Sequence, residues 1–351
     1  MAKILIVRFS ALGDVAMTIP VLYSAAKANP DDSFVMVTQT FLMPLFINPP
    51  ANLKILGIDI KGSEKNLEGF LRFSLGLVGQ KYDMVLDLHN VIRSRMLDYL
   101  FRLNGKRVFI VDKKRRARKR LTGKPPKNIT PLPTIATCYA DVFRNAGLSV
   151  EDTFTSLFAD RQKDFFWITS VFGEKKRHWI GIAPFAKHHG KIYPVDEMES
   201  IVNQLSKRQD VTLFFFGGGS YEETILGQWA FRNANTHCVA GRYNLEQELE
   251  ILSRMDVLVA MDSANMHFAS LVGTKVVSVW GATHPYAGFY GYKQLPQYAV
   301  QIELQCRPCT VYGKKPCHRN DYACLKQITQ KQIIDKINFI LEENEKSRNS
   351  S

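Results

Sequence analysis

The sequence predicts an α/β protein made of two doubly wound parallel sheets, and three observations carry that reading. Short β-rich runs such as Lys3–Phe9 and Val257–Met261 are continuously apolar, as befits strands covered on both faces by helices. Each run is followed by a stretch of helical character, which is the βα alternation of a parallel sheet. After an interruption the same alternation begins again.

In order, strands are expected at Lys3–Phe9, Ser33–Val37, Asn52–Ile58, Tyr82–Leu88 and Arg107–Val111, with helices at 14–29, 67–79 and 91–103. Residues 113–133 are basic and Pro-containing and read as irregular, followed by a helix near 134–146. The second series comprises strands at His178–Ala183, Val211–Phe216, 236–240, Val257–Met261 and Lys275–Trp280, with helices at 194–208, 221–232, 244–255 and 264–272. An amphipathic helix at about 327–345 and a polar tail complete the chain. The expected domains are therefore 1–165, 176–326 and a C-terminal helix with its tail, 327–351, with a hinge between about Asp160 and Arg177.

A chain of 351 residues, 46% hydrophobic and 23% charged, is long enough for two cores, and its composition excludes a disordered or collagenous protein. The skewed quantity is charge. Lys and Arg number 46 against 33 Asp and Glu, a net +13, and eleven basic residues with the single acid Asp112 lie between Lys106 and Lys127. No aromatic side chain interrupts Lys113–Lys127, which argues against stacking on nucleic acid. Arg8 and Asp14 cut the apolar start before a secretory signal could form, so a cytoplasmic location is expected. The uncharged run Ser33–Leu53 contains Pro44, Pro49 and Pro50 and reads as a strand and a short helix, not a membrane span.

In open parallel sheets ligands bind beyond the carboxyl ends of the strands, which directs attention to the loops there. The first, Arg8–Val15, lacks the glycine spacing of dinucleotide binding, and nothing in the chain matches a P-loop. Asp14 in it reads either as a helix-capping carboxylate or as a general base. In the second half, Lys187 and Lys191 lie in the loop before Pro194, and Gly217-Gly218-Gly219 precedes Glu222 and Glu223. Asp262-Ser263-Ala264-Asn265-Met266-His267 opens a helix whose free N–H groups suit a phosphate. Four of the six cysteines, Cys306, Cys309, Cys317 and Cys324, cluster near the C-terminus. Structural zinc, two local disulfides and free thiols are the alternatives for them.

The ordered set of motifs resembles glycosyltransferase family 9, the lipopolysaccharide heptosyltransferases. It comprises Ser10-Ala11-Leu12-Gly13-Asp14, Thr18-Ile19-Pro20, Asp87-Leu88-His89-Asn90 with Arg93-Ser94, Lys191 to Pro194, Asp262 to His267 and Gly281 to Pro285, and spans roughly residues 3 to 330. The resemblance implies a GT-B architecture of two Rossmann-like domains facing a cleft. The N-terminal one would hold an acceptor through Ser10, Gly13, His89 and Arg93. The C-terminal one would hold a nucleotide-diphosphate sugar, by family default ADP-heptose, through Lys187, Gly218, Glu222 or Glu223, Asp262, Ser263, Ala264, Met266, His267 and Thr283. Asp14 would then be the base of an inverting transfer, and Lys191 would stabilise the leaving diphosphate. The chain has no Asp-x-Asp, so no catalytic metal is expected. Phe185 and Ala264 stand where the family has smaller residues, which leaves the donor sugar open. The rival readings are a nucleotide-sugar epimerase of the same fold and a nucleic-acid-binding protein. The expected partners are a sugar nucleotide, an anionic glycolipid acceptor and, through residues 113–120, the anionic inner face of the cytoplasmic membrane.

Overall fold

A computed structural model describes residues 1–125, 127, 129–159, 166–175 and 178–349. Contacts divide the chain into two compact units, 1–113 with 133–157, and 114–132 with 158–351.

In the first unit Lys3–Val7 (β1), Ser33–Gln39 (β2), Leu53–Ile58 (β3), Met84–Asp87 (β4) and Arg107–Ile110 (β5) form a parallel sheet in the order β3-β2-β1-β4-β5. Ile4 to Val7 are completely buried, which accounts for the continuous apolar run in β1. Register is fixed by pairs such as Val7 with Val37 and Val7 with Asp87, so the ends of β1, β2 and β4 come level. The helix expected over 14–29 is two helices, Leu12–Ala16 and Ile19–Ala28, because Pro20 occupies the first turn of the second.

The second unit contains His178–Ala183 (β6), Val211–Phe215 (β7), Thr236–Cys238 (β8), Val257–Met261 (β9), Val276–Val279 (β10) and Ala299–Val300 (β11), parallel in the order β11-β10-β9-β6-β7-β8. The two-residue β11 carries no pattern that a sequence could reveal.

Two segments group differently from the domains expected. Residues 114–132, assigned above to 1–165, belong with the second unit. They are not wholly irregular, since Arg115–Leu121 is helical. Arg118 is buried there: its Nε donates to Ala287 O at 2.9 Å and its guanidinium lies 4.2 Å from the Phe289 ring centroid. Lys127 Nζ donates to Cys306 O and Pro308 O, and Leu132 N donates to Tyr286 O. The C-terminal helix, Gln330–Asn349, is part of the second core, since Ile333, Ile337, Ile340 and Leu341 share one apolar cluster with β6, β7, β9 and β10. The hinge expected between Asp160 and Arg177 falls largely outside the described residues, of which Phe166–Phe172 is a helix. Among the described residues no helix is long and apolar enough to cross a membrane.

Candidate functional site

In the first unit the candidate residues gather at the carboxyl ends of β1 and β4. Asp14 sits in the first turn of the Leu12–Ala16 helix with its side chain 28% exposed. Its Oδ2 is 3.5 Å from Ala11 N, a weak cap, and 2.5 Å from Arg8 Nη2. Arg8 is the stronger partner. It is 3% exposed, donates through Nη1 to Leu88 O at 2.7 Å, and lies 5.8 Å from the Tyr139 ring centroid. One guanidinium thus ties Asp14 to the turn after β4. In the sequence Arg8 shows only as a charge ending an apolar run; its burial beside Asp14 is visible only in the structure.

That turn is built by Asp87, whose Oδ1 accepts from His89 N (2.7 Å) and Asn90 N (2.8 Å), and whose Oδ2 accepts from Ser94 Oγ (2.8 Å). His89 Nδ1 accepts from Phe9 N at 3.3 Å, so the ring proton belongs on Nε2. Burial, then Arg8 and Lys113, push the His89 pKa down to about 2, and the imidazole is neutral. Ser10 and Gly13 are partly exposed beside Asp14. Arg93 is held elsewhere: Nη2 donates to Lys65 O at 2.6 Å and Nη1 to Ile60 O at 3.3 Å. Its guanidinium braces the 60–65 loop.

In the second unit three strand ends converge on Asp262. Lys191, in the loop after β6, places Nζ 2.8 Å from Asp262 Oδ2, and Thr283, after β10, donates to the same oxygen at 2.8 Å. All three are largely buried, with 15% of the Lys191 side chain exposed. The Lys191 stem is covered by Gly313. With φ at +78°, and a Cβ that would lie 2.8 Å from Lys191 Cγ, this position admits only glycine without displacement.

Ser263 precedes the Ala264–Leu271 helix in extended conformation but does not cap it, and its buried Oγ has no partner among the described residues. The hydroxyl and the open N–H groups behind it are matched to an anion. His267 is buried and Ala264 partly exposed. Met266 is completely buried, so its side chain belongs to the core. Lys187 is exposed. Glu222 Oε2 accepts from Gly218 N (2.9 Å) and Glu223 Oε1 from Gly219 N (3.0 Å), so both carboxylates turn back onto the start of their own helix. Burial raises the Glu222 pKa, the Gly218 N–H opposes it, and Glu223 adds to it.

The Gly281–Pro285 turn is fastened by a residue the sequence did not single out. Arg307, 3% exposed, donates to Gly281 O (2.5 Å), Trp280 O (3.2 Å) and Thr283 O (3.0 Å), and also to Ile302 O and Gln301 Oε1. This Arg holds Thr283 toward Asp262. Its neighbours Cys306 and Cys309, with Cys317 and Cys324, are free thiols. Cys309 Sγ faces Ala282 O and Cys317 Sγ faces Asp321 Oδ1, each at 3.8 Å. Burial pushes the Cys324 thiol up to about 11 and also raises Cys309. Structural zinc is one of the three alternatives for these cysteines; among the described residues no group of three or more His, Cys, Asp or Glu is arranged to hold a metal.

The family model for glycosyltransferase family 9 (heptosyltransferase) matches residues 70–318. Lipopolysaccharide heptosyltransferase 1 of Pseudomonas aeruginosa is 25% identical over 333 residues, covering 90% of this chain and 87% of that one. Among solved structures, the family 9 glycosyltransferase of Veillonella parvula aligns with a TM-score of 0.73 and 19% identity, covering 97% of this chain and 98% of that one. The E. coli heptosyltransferase WaaC with ADP-2-deoxy-2-fluoro heptose aligns with a TM-score of 0.66 and 18% identity, covering 95% and 99%. The fold is that of the GT-B heptosyltransferases. With a family match over residues 70–318, well over half of the chain, the chain belongs to glycosyltransferase family 9, the heptosyltransferase family.

Proposed function

We propose that this glycosyltransferase transfers heptose from ADP-heptose to a lipopolysaccharide-core acceptor, with inversion at the anomeric carbon and without a catalytic metal. The observation that carries the reading is the convergence of Lys191, Asp262 and Thr283 beside the unpartnered Ser263 hydroxyl, which supplies a cation, a hydroxyl and helix N–H groups for a diphosphate. The relative crystallised with an ADP-heptose analogue supports ADP-heptose as the donor.

In this mechanism Asp14 accepts the acceptor's hydroxyl proton as that oxygen bonds to the anomeric carbon from the face opposite the leaving group. The bond to the diphosphate oxygen breaks, and Lys191, Ser263 and the amides of the Ala264–Leu271 helix take up the charge that develops there. Lysine and amides thereby do what a divalent cation does in enzymes with paired carboxylates. Arg8 holds Asp14 by an ion pair that an acceptor phosphate or hydroxyl would have to share. The neutral His89 offers Nε2–H as a donor to the acceptor.

The exposed residues Arg115, Arg116, Lys119 and Arg120 make an electrostatic, peripheral contact with anionic membrane, and Arg118, being buried, takes no part. The test of the reaction is incubation with ADP-heptose and a heptose-deficient lipopolysaccharide extract. Release of ADP that requires both components, persists in EDTA and leaves the opposite anomer in the product supports the reading. Release without acceptor, or none with any envelope glycolipid, overturns it.

A further inference from the structure

The Ile92–Leu103 helix buries Ser94, Leu97, Asp98 and Phe101 on one stripe, the i, i+3, i+4, i+7 face that packs on the first sheet. A carboxylate in the middle of such a stripe needs a partner. Asp98 is 1% exposed and Asp87, at the end of β4, is 0% exposed. No donor reaches either oxygen of Asp98 among the described residues. Asp87, by contrast, already accepts from His89 N, Asn90 N and Ser94 Oγ. Ser94, which donates to Asp87, lies one helical turn before Asp98 on the same face, which brings the two carboxyl groups to the same side of the helix. They act directly on one another.

Two carboxylates buried together cannot both remain charged, and two carboxyl groups can hydrogen-bond only if one keeps its proton. Asp87, surrounded by donors, is the better anion; Asp98, without any, is the better acid. We propose that Asp98 is a positioning residue: held as the neutral acid, it donates a hydrogen bond to Asp87 and so fixes the 87–94 turn that presents His89.

The charged groups around the pair agree with this assignment. Burial and the Asp87 charge push the Asp98 pKa up to about 8, against the opposing pull of Arg95 and Arg102 on its own helix. Arg8, from β1, faces Asp87 and thus favours the charge residing there. His89, the remaining titratable group of the turn, is neutral. When Asp98 loses its proton the hydrogen bond is replaced by repulsion beneath the turn. His89 then shifts while the fold above it stays closed. The proton on Asp98 and the turn it fixes are independent of the acceptor role proposed for His89.

The test is carboxyl and imidazole NMR on the full chain between pH 5.5 and 9.5, for wild type, Asp98→Asn and Asp98→Leu. In wild type one carboxyl resonance, missing from both variants, should titrate with a midpoint near 8, and the His89 ring signals, identified by their loss in His89→Gln, should move with the same midpoint. Asp98→Asn keeps a donor and has no proton to lose, so its His89 signals should hold the low-pH position throughout. Asp98→Leu, lacking a donor, should show them displaced at every pH. An Asp98 resonance already ionised at pH 6, or His89 signals indifferent to pH and to both variants, overturns the proposal. The wild-type titration stands even if a variant fails to fold. A protein without transferase activity would leave these signals as expected and would count against the proposed reaction alone.

Discussion

At the ends of β6, β9 and β10 the buried charges meet opposite charges or carbonyls: Lys191 faces Asp262, and Arg307 is surrounded by backbone oxygens. At the ends of β1 and β4 the arrangement is looser. Among the described residues no acceptor meets Arg8 Nε and no donor reaches the oxygens of Asp98, and His89 is buried in the neutral form. In the proposed reaction the first arrangement meets a phosphate that competes for Lys191, whereas the second accepts a proton. Two sheets of similar topology would then carry differently governed half-sites.

The sharpest break between them is Asp14→Asn, which keeps shape and capping ability while removing the base. Turnover should fall roughly 10²-fold or more with the thermal midpoint retained and nucleotide binding unchanged. Near-normal turnover would remove Asp14 from the mechanism. On the donor side, Lys191→Ala deletes a charged hydrogen-bond donor worth about 1.5–3 kcal/mol. By titration calorimetry ADP affinity should drop about tenfold or more and adenosine affinity far less; equal losses would contradict a phosphate role.

Smaller effects separate the buried from the exposed basic residues. Arg118→Ala should lower the thermal midpoint by the equivalent of about 1–3 kcal/mol, since it strips a buried carbonyl of its donor. Arg116→Ser with Lys119→Ser should leave that midpoint alone and weaken salt-sensitive sedimentation with anionic vesicles. Equal thermal effects would refute the docking of this helix.

His89 gives a pH test of the proton-governed half. Its folded pKa lies below the unfolded value of 6.5, so the unfolded chain binds the extra proton first, and stability is lost as pH falls from 6.5 toward 2. His89→Gln should therefore show a shallower decline of thermal midpoint between pH 6.5 and 4.5 than wild type; parallel curves would mean that His89 is not buried neutral. Elemental analysis is expected to make the least difference. Protein purified without added metal should carry less than about half an equivalent of zinc, and a full equivalent would mean that the four thiols rearrange around it.

Apart from β11, the strands and most helices were legible because continuous apolar runs and helical periodicity are local properties of the sequence. The convergence of Lys191, Asp262 and Thr283 was legible only as three separate loops, since what joins them is the register of β6, β9 and β10. Arg8, Arg307 and Asp98 escaped for a different reason. Sequence displays a charge but not its burial, and each is informative only because it lies inside. Asp98 did leave a trace, as an acid between Leu97 and Phe101 on the buried helical stripe. The basic helix 115–121 was hidden by its composition, which reads as solvated surface although Arg118 and Leu121 are buried.

The passage of residues 114–132 into the second unit has a consequence for dividing the protein. The chain crosses between units three times, near 113, 132 and 157, so no single cut yields both halves whole. A fragment ending at 157 would carry Arg118 and Leu132 without Ala287, Phe289 and Tyr286, which they pack on or bond. A fragment starting at 158 would expose those same partners. Separating the two units therefore calls for excising 114–132 and rejoining 113 to 133, with the excised strap grafted onto the other piece.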